Sequence, residues 1–166
     1  MIKTRHNVFE TNSSSTHCIS FVDKPAPDSY PETLNFTLGR FGWEPQFADH
    51  LSYLYTAILD YYKDDDVGVE KIAHLKKVMD KNNIKYSFYP EFTNHATASK
   101  YDYYIDHATE LGGFLEDIFS NDEDLLRYLI YGEVACYNDN DEYEDYSAHT
   151  EAVLEDPETK CWIKGN

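Results

Sequence analysis

The sequence predicts a single α+β domain, with a mixed or antiparallel sheet packed against about four helices. Three observations predict it. Short apolar runs of strand length are bounded by Pro and Gly, and longer segments repeat apolar residues at helical spacing. The two kinds follow one another without the regular alternation of a doubly wound sheet. At 166 residues the chain can bury a real core as one domain, and 42% hydrophobic content argues against global disorder.

Taken in order, "HCISFV" (17–22) reads as a strand and "KPAPDSYPE" (24–32) as a loop, because its three prolines forbid regular structure. "TLNFTL" (33–38) alternates as a second strand that Gly39 and Gly42 break, and Pro45 is placed to open a helix. Phe47, Leu51, Leu54, Tyr55, Ile58 and Tyr62 then recur on one helical face. A second helix follows the acids at 64–66 and ends at Asn82 and Asn83, with Val69, Ile72, Leu75, Val78 and Met79 inward. "IKYSFYPEF" (84–92) is a strand ended by Pro90. Leu111, Phe114, Leu115, Ile118 and Phe119 form another helical face. Asn121 or Asp122 caps a further helix through "DLLRYLIY", which Gly132 closes. "EVACY" (133–137) is a strand, "NDNDEYEDYSAHT" a polar loop or helix start, and "KCWIK" (160–164) a short last strand. The tyrosines at 53–62 and 101–104 read as core, or as an amphipathic contact surface.

Charge divides the domain. Residues 1–100 carry 13 acids against 11 bases, whereas residues 101–158 carry 18 acids and a single base, Arg127. The net charge of −17 is therefore concentrated in the second half. Such a field repels nucleic-acid backbones and anionic membranes and attracts cations or basic protein surfaces. Direct binding of duplex DNA is not expected, since it rests on Lys and Arg neutralising phosphates. No apolar run is long enough to span a bilayer, and the first fifteen residues lack the apolar stretch of a secretory signal. Cys18, Cys136 and Cys161 have no paired spacing and read as reduced thiols, so a cytoplasmic location is expected.

Chemistry concentrates in three polar islands. In "ETNSSSTH" the plain reading is a turn between strands, because Ser, Thr and Asn compete for backbone hydrogen bonds. The functional reading is a pocket floor. Asn12, Ser13, Ser14, Ser15 and Thr16 would hold an anionic ligand, with Arg5 as its fixed charge and His17 beside it. No Gly-rich phosphate loop and no Gly-x-Ser-x-Gly elbow is present. "YYIDHAT" (103–109) sets Asp106 beside His107, either a capping pair or an acid-tuned general base. In "YNDND" (137–141), Asp139 and Asp141 share a face if the strand continues, which suits a divalent cation; a solvated acidic loop is the plainer alternative. That loop is no calcium hand, since Glu144 stands where a glycine is needed.

The stretch "RHNVFETNSSSTH" resembles the opening of small uncharacterised proteins encoded by bacteria, phages and mobile elements. "YYIDHAT" and "YNDND" look like further polar islands of that group. The resemblance covers about the first twenty residues. It implies a shared site and a phage or bacterial origin, and it carries no activity to transfer.

Two functions compete. In the first, the islands converge on a pocket for an anionic or nucleotide-like ligand, with phosphoester or nucleotidyl chemistry. His107 or His17 would then be the base, Ser14 a reacting hydroxyl, Arg5 the anion stabiliser, and Asp139 and Asp141 the metal ligands. In the second, the chain is a non-catalytic acidic inhibitor of the phage counter-defence kind. Its carboxylates would mimic phosphates on a basic, nucleic-acid-handling protein.

Overall fold

The computed structural model describes residues 15–42, 44–63, 65–94, 98–138 and 144–165. Its centre is a four-stranded antiparallel sheet in the order β4–β7–β1–β8, built from β1 (Ser15–Val22), β4 (Gln46–Ala48), β7 (Gly132–Asn138) and β8 (Thr159–Lys164). β1 is central because its odd-numbered inner face ends in the apolar pair Ile19 and Phe21, and both are buried. Two small parallel pairs complete the strands: β2 (Thr33–Thr37) with β5 (Lys85–Tyr89), and β3 (Arg40–Phe41) with β6 (Tyr104–Ile105).

Five α-helices surround these strands among the described residues, one more than the sequence suggested. The additional one is α5 (Glu144–Glu155), which arises from the segment that also read as a polar loop. Helix α1 (His50–Tyr61) is buried at nine consecutive positions, Leu51 to Leu59, so it is not a surface helix with one apolar stripe. It packs between β7 on one side and β2 with α2 (Val67–Lys81) on the other. Helices α3 (Gly112–Ser120) and α4 (Asp122–Tyr131) continue the inner layer, with Phe114 and Trp162 in ring contact. Helix α5 lies on the opposite face of the sheet, against β7 and β8.

Local chemistry sets the boundaries. Asn121 caps α4 by accepting from the amides of Glu123 and Asp124. Gly132 ends it, because a β-carbon there would stand 2.5 Å from the Tyr128 carbonyl oxygen and 2.6 Å from the His50 ring. Two expectations need correcting. Pro45 does not open α1; Asp49 does, accepting from the Ser52 amide at 3.0 Å, and Pro45 instead precedes edge strand β4. Phe47 therefore leaves the helical face and is 60% exposed. On α2, Gly68 turns inward in place of Val69, which is exposed. No helix among the described residues is long and apolar enough to cross a membrane.

Candidate functional site

The register of the sheet builds a polar end on an otherwise apolar face. His17 lies opposite Cys136 on one side and Lys164 on the other, so these three side chains form one row. Ser15, opposite Asn138, begins the next row outward. One step inward the row is Val134, Ile19 and Trp162, wholly apolar. A change from hydrocarbon to hydrogen-bonding groups within one strand period marks the inner face where β1 begins.

Asp106 reaches this row from ninety residues away. The amide of Ile105 donates to the Asp60 carboxylate at 2.8 Å, and the Asp106 amide donates to the Phe41 carbonyl at 2.8 Å. Gly42 lets the β3 end pass close by, since a β-carbon there would sit 3.0 Å from the Tyr104 hydroxyl and 3.5 Å from Asp106 Cβ. Ser15 Oγ then donates to Asp106 Oδ2 at 2.7 Å. Lys164 Nζ donates to the same Ser15 Oγ at 2.8 Å and to the Ser15 carbonyl at 3.2 Å. Both Ser15 and Lys164 are buried. A buried ammonium costs several kcal/mol of desolvation unless acceptors and an opposite charge surround it. Here one hydroxyl links the lysine to a carboxylate.

His17 stands next to them and is fully buried. Its Nδ1 lies 2.7 Å from the Tyr53 hydroxyl, while Nε2 has no hydrogen-bond partner among the described residues. Burial first, and then the Lys164 charge, push its pKa down to about 3; the nearby Gly42 backbone only partly offsets them. His17 is thus a neutral hydrogen-bonding imidazole near pH 7, and a weak base. Burial likewise holds the Tyr53 phenol well above its usual range, so it stays protonated. His107 is the more accessible imidazole. Its side chain is 44% exposed, its Nε2 lies 3.8 Å from Asp106 Oδ2, and its backbone is left-handed at φ 51°.

Ser15, His17, Asp106 and His107 are therefore brought together, whereas Thr16 alternates to the other face of β1, the side of α5. Arg5, Asn12, Ser13, Ser14, Asp139 and Asp141 lie outside the described residues. Among the described residues no three His, Cys, Asp or Glu side chains gather as metal donors. The cysteines are free thiols, with Cys18 and Cys136 buried and raised to about 12 mainly by that burial. Lys164 is the residue that sequence reasoning missed. Its signal was present in "KCWIK": Lys160, Trp162 and Lys164 share one strand face, and a tryptophan between two lysines marks that face as the buried one. The two polar segments touch. A cleft of about 390 Å³ lies elsewhere, between Pro25, Val78 and Lys81 on one side and Asp122, Leu126 and Arg127 on the other.

Compared with protein-family models, curated proteins and solved structures, the chain finds no match in any of the three.

Proposed function

We propose that the polar end of the sheet binds a small anionic or nucleotide-like ligand and serves phosphoester or nucleotidyl chemistry. The observation that carries this reading is the convergence of Asp106 and Lys164 on one oxygen atom, Ser15 Oγ, at the polar end of a largely apolar face. A fold needing only stability would fill that position with apolar groups of similar volume, which is commonly neutral or stabilising. Each group has a task. Lys164 supplies positive charge to a ligand oxygen or to a charge developing on Ser15 Oγ. Asp106 already accepts the Ser15 proton in its hydrogen bond and is placed to take it fully. His17, neutral and buried, has an Nε2 with no hydrogen-bond partner among the described residues. Asp106 and His107, the more exposed members, are the side from which a ligand would enter. Asn12, Ser13 and Ser14 immediately precede Ser15 in the chain, Arg5 lies ten residues before it, and these four remain the candidate anion and ligand contacts.

Thermal unfolding with inorganic phosphate, mononucleotides and dinucleotides, with and without magnesium, tests the reading. A ligand at 100 times its Kd stabilises by about 2.7 kcal/mol, an easily read rise in Tm. The rise is expected in the wild type and is expected to vanish in Asp106→Asn and Ser15→Ala proteins whose circular dichroism is unchanged. No rise with any phosphate-bearing compound at millimolar concentration would reject the proposal. So would a rise that survives both substitutions.

A further inference from the structure

A different surface carries an independent inference. The acids of the second half are not all alike once folded. Most of those on α3 and α4 have partners: Asp122 binds His74 at 2.6 Å, Asp124 binds Lys160 at 2.6 Å and Arg127 at 3.1 Å, and Asp117 accepts from the Trp162 indole at 3.0 Å. On the outer side, Glu144, Asp145, Glu151 and Glu155 of α5 are exposed, and none has a Lys or Arg partner among the described residues. Glu133 beside them meets His149, at 3.9 Å. Glu151 and Glu155 are spaced i, i+4 at the C-terminal end of α5, whose last turn holds no base. Like charges at that spacing repel, and the helix dipole disfavours anions there. The acids are held against the helix's own electrostatics.

The same side exposes apolar surface. Phe47 on edge strand β4 stacks on Tyr146 of α5 at 4.8 Å and meets His149 edge-on at 5.2 Å, yet stays 60% exposed. Ile163 of β8 is 44% exposed, and Leu154 of α5 is also exposed. Register places Phe47 opposite Ala135 and Ile163 opposite Cys18, so both belong to the face that α5 covers. Phe47 and Ile163 stand on the two edge strands of that face, and exposed apolar side chains bordered by charges of one sign are the pattern of a protein interface.

We infer that the α5 face, centred on Phe47 and Tyr146 and rimmed by Glu133, Glu144, Asp145, Glu151 and Glu155, docks a basic protein segment. That segment presents apolar side chains to Phe47 and Ile163 and Lys or Arg to the rim. Complementary charge selects the occupant: an acidic rim repels nucleic acid and anionic lipid alike. Phe47, 60% exposed, is the anchor that docking would bury. The site at Ser15 lies on the other face of β1, so the two surfaces can be tested apart.

The probe is a fluorescent amphipathic peptide with leucines on one face and Lys/Arg on the other, titrated by anisotropy and mapped by amide chemical shifts. Shifts are expected at Phe47, Tyr146 and Ile163. Phe47→Ala is expected to weaken binding about tenfold at every salt concentration. Glu151→Gln with Glu155→Gln is expected to weaken it several-fold at low salt, and by less as salt rises and screens the rim. Glu116→Gln on α3, which removes a carboxylate elsewhere, is expected to leave affinity unchanged. If Phe47→Ala disturbs α5 by circular dichroism, Ile163→Ala serves as the second anchor variant. Binding that maps elsewhere, that ignores both anchors, or that falls equally with Glu116→Gln reduces the attraction to net charge and overturns the inference. A Phe47-dependent dimer by light scattering overturns it too, since a second copy would then own the face.

Discussion

The inner and outer faces of β1 carry the same number of residues but opposite solutions to polarity. Inside, Ser15, His17 and Lys164 are buried, and the hydroxyl and the ammonium are matched to defined partners at 2.7–3.2 Å. Outside, across one layer of backbone, α5 leaves four carboxylates exposed without a basic partner among the described residues, beside a phenylalanine that is 60% exposed. Buried polarity must be satisfied within the molecule, so it fixes geometry; exposed polarity can wait for a partner. Under the two proposals, the contrast separates a site for orienting a ligand from a surface for docking a partner. It also predicts that substitutions inside cost stability, whereas those outside cost none.

The largest effect is expected at Lys164. Lys164→Met removes the ammonium and leaves Ser15 and the largely covered Asp106 carboxylate without it. The expected cost is about 3 kcal/mol, read as a fall in the urea midpoint with unchanged slope. Adding Asp106→Asn should recover part of that loss, because the uncompensated charge is gone. A Lys164→Met protein as stable as the wild type would break the comparison, since the inner network would then be incidental.

Protonation is the next lever. His17 has a depressed folded pKa of about 3 against 6.5 unfolded, so the unfolded chain binds a proton that the folded chain refuses. The effect is absent above about pH 7.5, where both states are neutral. Stability falls as pH drops below 6.5 toward 3, by up to about 1.4 kcal/mol per unit. Burial sets the sign first; Lys164 and His107 add to it by opposing a further positive charge, and Tyr53, itself kept protonated, adds none. Comparing urea midpoints at pH 7.5 and pH 5 should show a larger loss for wild type than for His17→Asn. His50, also depressed by burial, contributes the same trend to both proteins and cancels in the comparison.

How much of this was legible before folding depends on range. Strand β1, helices α2 to α4 and the Asn121 cap follow from periodicity and turn chemistry within a few residues, and the structure has them. Helix α1 misled at its start because Phe47 happens to fall on the helical phase while belonging to an edge strand. The inner site was half legible. Serines and a histidine entering a strand, and an Asp-His pair after an aromatic run, advertise polar ends; only the register of β8 against β1 brings Lys164 onto Ser15 from 149 residues away. No local pattern encodes that distance. The charge count misled in another way, since it treated as one field the acids that folding divides into a set with basic partners and a set with no Lys or Arg partner among the described residues.

Ser15→Ala should cost less than Lys164→Met, about 1–2 kcal/mol, because it removes a small hydroxyl but leaves both partners in place with one bond fewer each. Measured with Lys164→Met in a double-mutant cycle, the two should be strongly non-additive, since they share one oxygen. Additivity would mean that the lysine and the hydroxyl act independently, and the inner face would no longer differ in kind from the outer one.

The smallest effect, and the one with opposite sign, is expected on α5. Replacing Glu151 and Glu155 by Gln keeps side-chain length and helix propensity while removing two like charges one turn apart at the helix's negative end. Neither carboxylate has a Lys or Arg partner among the described residues whose loss could offset that relief. Stability should therefore rise, by a few tenths of a kcal/mol at low ionic strength. The gain should fade at about 1 M salt, where the Debye length shrinks to about 3 Å. Urea titrations of both proteins at low and high salt measure it. A loss of stability would assign these acids an intramolecular partner and place them with the satisfied groups of the inner face. A salt-sensitive gain would leave them as charges kept despite a local cost, which is what a surface waiting for a basic partner requires.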